Sequence, residues 1–201
     1  MNLNIIIIVL LFLLNIKSQS FKHLKKYAST LAYVSTINAL YYYLCKHYLL
    51  WDFRSIYLSV RWLRALHIFI LTPSVVLLYL TNFPRKIEQQ PIYILKWVAV
   101  SSICEFIVFK QGLLFFKRGW NIGWSALLYL KMYVYSYFFK EHKSTILLLS
   151  VITTGTALKI FNVPLRKDQL KGPFVIPFLK KKKKFIPFLF RQRTIRGKAL
   201  F

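Results

Sequence analysis

Residues 91–112, PIYILKWVAVSSICEFIVFKQG, decide how this chain is to be read. From Pro91 to Phe109 the run is long enough, at about 1.5 Å per residue, to cross a hydrocarbon core of about 30 Å. A proline at its start suits a first helical turn, where no N–H is needed. Two ionisable groups interrupt the run, Lys96 and Glu105. At about 100° per residue they fall on opposite helix faces, roughly 13 Å apart along the axis, so they do not pair with each other. A charge at the centre of a membrane helix costs about 2.5–3.5 kcal/mol by insertion scales, so Glu105 is expected to have a partner, a wet cavity or a short route to the interface. Lys131, close to the middle of the next apolar stretch, is the partner expected if the two helices are antiparallel neighbours, because a lysine stem spans a helical turn.

The rest of the chain repeats the pattern. The apolar set makes up 57% of its 201 residues and the mean hydropathy is +0.47, above the roughly 45–50% apolar share of soluble domains. Six candidate spans follow: Leu3–Ile16, Tyr27–Leu44, Ala65–Thr81, Pro91–Phe109, Asn121–Phe139 and Ser144–Phe161. Sustained period-2 alternation is missing from all of them, which argues against a β-barrel. The expected fold is therefore all-α, an integral membrane helical bundle over residues 1–164, with a basic, aromatic tail over 165–201. Pro73 lies inside the third span and predicts a kink. The first stretch ends in Ser18-Gln19-Ser20, a small-x-small site that a signal peptidase would accept, but MNLN carries no basic residue ahead of the apolar run. If that stretch is cleaved or does not span, five crossings are expected.

A net charge of +25 would suggest nucleic acid, but its distribution follows the membrane instead. Basic residues sit in the connections (Lys17, Lys22, Lys25 and Lys26; Arg61 and Arg64; Arg85 and Lys86; Lys110, Lys117 and Arg118), as membrane orientation requires. With six spans, the second and fourth connections share one side with the tail. The connections alone nearly balance. The tail holds twelve of the thirty lysines and arginines, so its side is expected to be cytoplasmic. Lys180, Lys181, Lys182, Lys183 and Lys184, flanked by two IPFL repeats, fit a clamp on anionic lipid. A lysine run also implies an adenine tract in the gene, where slippage would put the following residues out of frame. Both readings of the tail stand open.

Enzyme and metal signatures are missing. There is no H-E-x-x-H, G-x-S-x-G or Walker A loop. His23, His47, His67 and His142 lack i, i+4 ligand spacing, and five acidic residues do not furnish a multi-carboxylate site. No cofactor, metal or nucleic acid is expected. Cys45 and Cys104 read as small packing residues. Arg61, Arg64 and His67 form one stripe at spacing three, with the arginines near the interface and His67 deeper. His67, Glu105 and Lys131 are thus the candidate intramembrane polar network. In KRGWNIGWS, Asn121 is placed as the N-cap of the fifth span, and Trp120 and Trp124, at i, i+4, as interface anchors.

The stretch Leu95–Tyr129, with Trp97, Glu105, Gly112, Gly119, Trp120, Asn121, Trp124 and Ser125, resembles a family of small uncharacterised multi-span membrane proteins of spore-forming Firmicutes. Their shared pattern is an embedded Glu, a Gly some seven residues later, then Gly-Trp-Asn-x-x-Trp-Ser. The resemblance covers roughly residues 1–165 and implies an integral membrane protein without an established activity. Location is the cytoplasmic membrane, with the lipid bilayer and its anionic lipids as partners and other membrane proteins as candidate partners. The first functional expectation is a non-catalytic membrane component, acting through partner or lipid contacts. The alternative is a small transporter or channel using His67, Glu105 and Lys131.

Overall fold

The computed structural model describes residues 3–46, 48–55 and 58–164. His47 and the tail, including the expected lipid-binding Lys180 to Lys184, lie outside the described residues. Among the described residues seven helices carry the fold: α1 (Leu3–Lys17), α2 (Leu24–Leu44), α3 (Val60–Leu66), α4 (Thr72–Thr81), α5 (Gln90–Lys110), α6 (Ile122–Phe138) and α7 (Lys143–Ile160). Two short strands, β1 (Trp51–Phe53) and β2 (Leu114–Phe116), interrupt an otherwise helical chain.

Among the described residues three helical stretches are long and apolar enough to cross a membrane: Val60–Thr81, Ile87–Lys110 and Lys143–Ile160. The first two helices meet at 77° and together make at most a fourth, bent crossing. The sequence reading made α1 and α2 two separate spans. The turn between them is made at Gln19, with φ 53, a conformation that no glycine or proline announces. Beyond that bend α1 packs on α4, where Asn15 Nδ2 donates to Ser74 O at 3.1 Å.

Pro73 acts through the turn ahead of it. Without an N–H it leaves the Phe69 carbonyl without its usual partner. The preceding residues widen into a π-helical turn, His67–Leu71, closed by Thr72 N–H donating to His67 O. Helix α2 seals this break from the side: Ser35 Oγ donates to Ile68 O at 3.0 Å, and Asn38 Nδ2 donates to Thr72 Oγ1 at 3.0 Å. Neighbouring side chains are what make an interrupted helix tolerable at membrane depth.

The core centres on the fully buried Tyr79, ringed by Phe83, Tyr93, Trp97 and Tyr133 at centroid distances of 5.4, 5.5, 5.9 and 4.6 Å. Helix α7 joins through Ile146 and through a 2.6 Å hydrogen bond between Tyr33 and Ser150. A second cluster closes one end. There β1 pairs antiparallel with β2 in the register Trp51↔Phe116, Asp52↔Phe115, Phe53↔Leu114. Leu50, Trp120, Phe161 and Val163 pack together beside this ribbon. The second connection, the fourth connection and the end of α7 therefore share one end of the bundle.

Candidate functional site

Helix α5 stops in a Schellman turn. Leu113 N–H donates to Val108 O at 3.1 Å and Gly112, at φ +70, supplies the left-handed residue that the turn needs. The chain then runs back through β2 and enters α6 at Asn121. The Asn121 side chain accepts from the N–H groups of Gly123 and Trp124, at 2.9 and 3.2 Å, so it is the N-cap. This places Ser125 in the first turn of α6, opposite Glu105 near the end of α5.

Ser125 Oγ donates to Glu105 Oε1 at 2.6 Å, and Trp120 Nε1 donates to Ser125 Oγ at 3.0 Å. Tyr129, one turn further along α6, stands beside the same carboxyl group. Another turn on, the Tyr133 and Ser101 hydroxyls lie 2.6 Å apart. These contacts make a polar seam along the α5–α6 interface, enclosed at its Glu105 end: Glu105 is 9% exposed, Trp120 7% and Ser125 3%. A serine touching a carboxylate has the first contact a nucleophile requires. Here the hydroxyl is committed at both ends and buried, so the arrangement bonds one helix to the other rather than presenting an oxygen to a substrate.

The structure does not bring His67, Glu105 and Lys131 together. Glu105 takes Ser125 in place of the expected Lys131. Lys131 Nζ lies 5.6 Å from the centroid of the Tyr135 ring, and among the described residues no carboxylate is within ion-pair distance of it. His67 stacks on Phe53 of the ribbon at 3.8 Å, and its Nε2 has no hydrogen-bond partner among the described residues. Trp120 and Trp124 lie beside each other, ring centroids 6.3 Å apart, with the extended cap at Asn121, φ −149 and ψ 178, between them in the chain. Trp120 is buried, 4.5 Å from Trp51 and 5.0 Å from Phe161. Trp124 follows in the helix and also meets Phe161, at 5.2 Å.

Sequence reasoning missed a pair at the ribbon. Asp52 accepts two bonds from Arg64, Nε–Oδ1 at 3.1 Å and Nη2–Oδ2 at 2.7 Å, fixing β1 to α3. The signal was present, since Asp52 is the one acidic residue in its connection and Arg64 heads toward it from the next helix. Cys45, just past the end of α2, is buried beside the same ribbon, and burial pushes its thiol up to about 11. Cys104 is exposed on the outer face of α5, so the two thiols serve separate surroundings. Among the described residues no group of three or more His, Cys, Asp or Glu is placed to hold a metal ion.

No family model matches this chain, and no curated protein or solved structure matches it either. What can be said of its function rests on the geometry above.

Proposed function

We propose that the chain is a multi-pass protein of the cytoplasmic membrane with no catalytic step of its own, working through contacts with lipid and with other membrane proteins. One observation carries the reading. In the most apolar 18-residue window of Ile87–Lys110, only 6% of the residues are buried by the rest of the chain. Ile92, Leu95, Val100, Ile103, Phe106 and Ile107 stand exposed along it. In water this would be a long run of exposed apolar side chains, the kind of surface that marks contact with a partner or a membrane. In a bilayer it matches its solvent.

In the finer picture α3 with α4, α5, α6 and α7 each cross the bilayer, and α2 crosses with α1 set at an angle to it. Helix α6, at 17 residues and thus about 25 Å, reaches across most of the core. The ribbon end then faces the cytoplasm, because the basic tail leaves the bundle there. A transporter would need His67, Glu105 and Lys131 along one path. Their separate surroundings, and the double commitment of Ser125, favour a packing role. The test is flux of protons and small solutes into vesicles holding wild-type protein or Glu105→Gln. No flux from either agrees with the proposal, whereas wild-type flux that Glu105→Gln abolishes would overturn it in favour of the transporter.

A further inference from the structure

Between α2, α6 and α7, toward the ribbon end, the helices line a partly open cavity of about 380 Å³. That volume lies within the range of small-molecule sites, roughly 300–1,000 Å³. Tyr41, Trp51 and Trp124 give it aromatic walls, and among the described residues Lys131 is the only charged side chain lining it. Several other polar groups in the wall are turned away. The hydroxyls of Thr153 and Thr156 donate to the α7 backbone, at Leu149 O and Ile152 O, 2.8 and 2.9 Å away. Tyr41 Oη donates to Trp51 O at 2.9 Å. What faces the cavity is therefore mainly apolar surface with one basic side chain in its lining. A cation in hydrocarbon calls for an anion or a hydrogen-bonding acid beside it.

Depth narrows the choice of acid. Lys131 follows Ile122 by nine positions, about 13 Å along the axis, and so sits near the middle of α6. Phosphates of bilayer lipids lie at the edge of the core, roughly 15 Å from its midplane. A phosphodiester also keeps its charge at neutral pH, so it does not follow Lys131 inward. A carboxylic acid can cross hydrocarbon as the neutral species and form its hydrogen-bonded pair on arrival. We propose that this cavity binds a free long-chain carboxylic acid, its carboxyl group on Lys131 Nζ and its chain along Tyr41, Trp51 and Trp124. The inference rests on the membrane reading given under Proposed function.

The experiment uses the full chain in phosphatidylcholine vesicles, with Trp62→Phe removing the most lipid-exposed tryptophan, and a dibrominated long-chain fatty acid as quencher. Saturable quenching is expected, with Lys131→Met raising the half-saturation point about tenfold or more, equivalent to about 1.4 kcal/mol, and Lys131→Arg preserving it. Brominated phosphatidylcholine should give only unsaturable quenching. If Lys131→Met does not insert, the brominated alcohol of the same chain length decides the matter on the Trp62→Phe protein, where it should bind at least about tenfold more weakly than the acid. Equal curves with and without the Lys131→Met substitution, equal binding of acid and alcohol, or saturable quenching by the phospholipid would overturn the proposal. So would displacement of the fatty acid by a Leu-Ala host helix with one mid-span Glu but not by its Gln counterpart, since that would assign Lys131 to a protein partner. Resistance to alkaline carbonate extraction is measured first. A chain that extracts defeats the membrane reading itself, and an inserted chain without saturable quenching defeats this inference alone.

Discussion

Ser125→Ala removes two bonds at once, the donor to Glu105 Oε1 at 2.6 Å and the acceptor for Trp120 Nε1 at 3.0 Å. Both partners are buried, so neither regains water in the variant. Soluble proteins lose about 1.5–3 kcal/mol for a bond to a charged group. Cross-helix hydrogen bonds in membrane proteins average only about 0.6 kcal/mol and reach about 1.7, because the unfolded chain in lipid also finds partners. Under the proposed membrane reading the membrane range applies, and two bonds then amount to about 1–3 kcal/mol. For a chain of this size each kcal/mol shifts the midpoint by about 2–4 °C, so a fall of about 2–12 °C is expected. Thermal unfolding in lipid nanodiscs, followed by tryptophan emission, reads it directly. A double-mutant cycle with Trp120→Phe separates the indole bond from lost packing and should show coupling of about 0.5–1.5 kcal/mol. A midpoint within about 1 °C of wild type, or a cycle that is additive, would refute the seam as a stabilising contact between α5 and α6.

Three further outcomes are expected. Glu105→Gln keeps an acceptor for Ser125 and should change stability by less than about 1 kcal/mol, whereas Glu105→Leu leaves Ser125 without one and should lose about 1–3 kcal/mol in the same melt. Asp52→Asn breaks a two-bond contact between groups about 20% exposed, so a loss of about 1–2 kcal/mol is expected, and equal stability would show that the ribbon does not depend on Arg64. Cys45, with its thiol held at about 11, should react with iodoacetamide far more slowly at pH 8 than a free cysteine does, and faster as pH approaches 11. The sign for stability follows: the neutral thiol's contribution is full below the ordinary thiol value of 9.0 and is lost as pH rises through about 11. Ordinary reactivity of Cys45 at pH 8 in the folded protein would contradict its burial.

The long helix from Pro91 was legible because an apolar run of that length, interrupted by only two ionisable groups, has few other uses, and Asn121 because caps are local. Glu105 itself was visible as a group in need of a partner. Its partner was misjudged by register. Ser125 faces Glu105, and Lys131 follows Ser125 by six positions, about 9 Å further along α6 and roughly 240° around it. No arithmetic on either helix alone sets that register; the ribbon and the Asn121 cap set it. Pairing of Trp51 with Phe116 joins strands of three residues from distant connections, too short for any alternation to declare itself. The bend at Gln19 was hidden because the left-handed residue there is neither Gly nor Asn. His67 is buried, and its contact with Phe53 depended on a strand the sequence did not announce.

The central claim is that α5 crosses a bilayer with the ribbon on one side. In a chain with Cys45→Ser and Cys104→Ser, single cysteines are placed at Lys86 and at Lys117, ahead of α5 and after β2. Sealed right-side-out vesicles are then treated with a membrane-impermeant maleimide, before and after permeabilisation. The account predicts that Lys86→Cys labels in sealed vesicles and that Lys117→Cys labels only once they are opened. Labelling of both positions from the same side of the sealed membrane would contradict it.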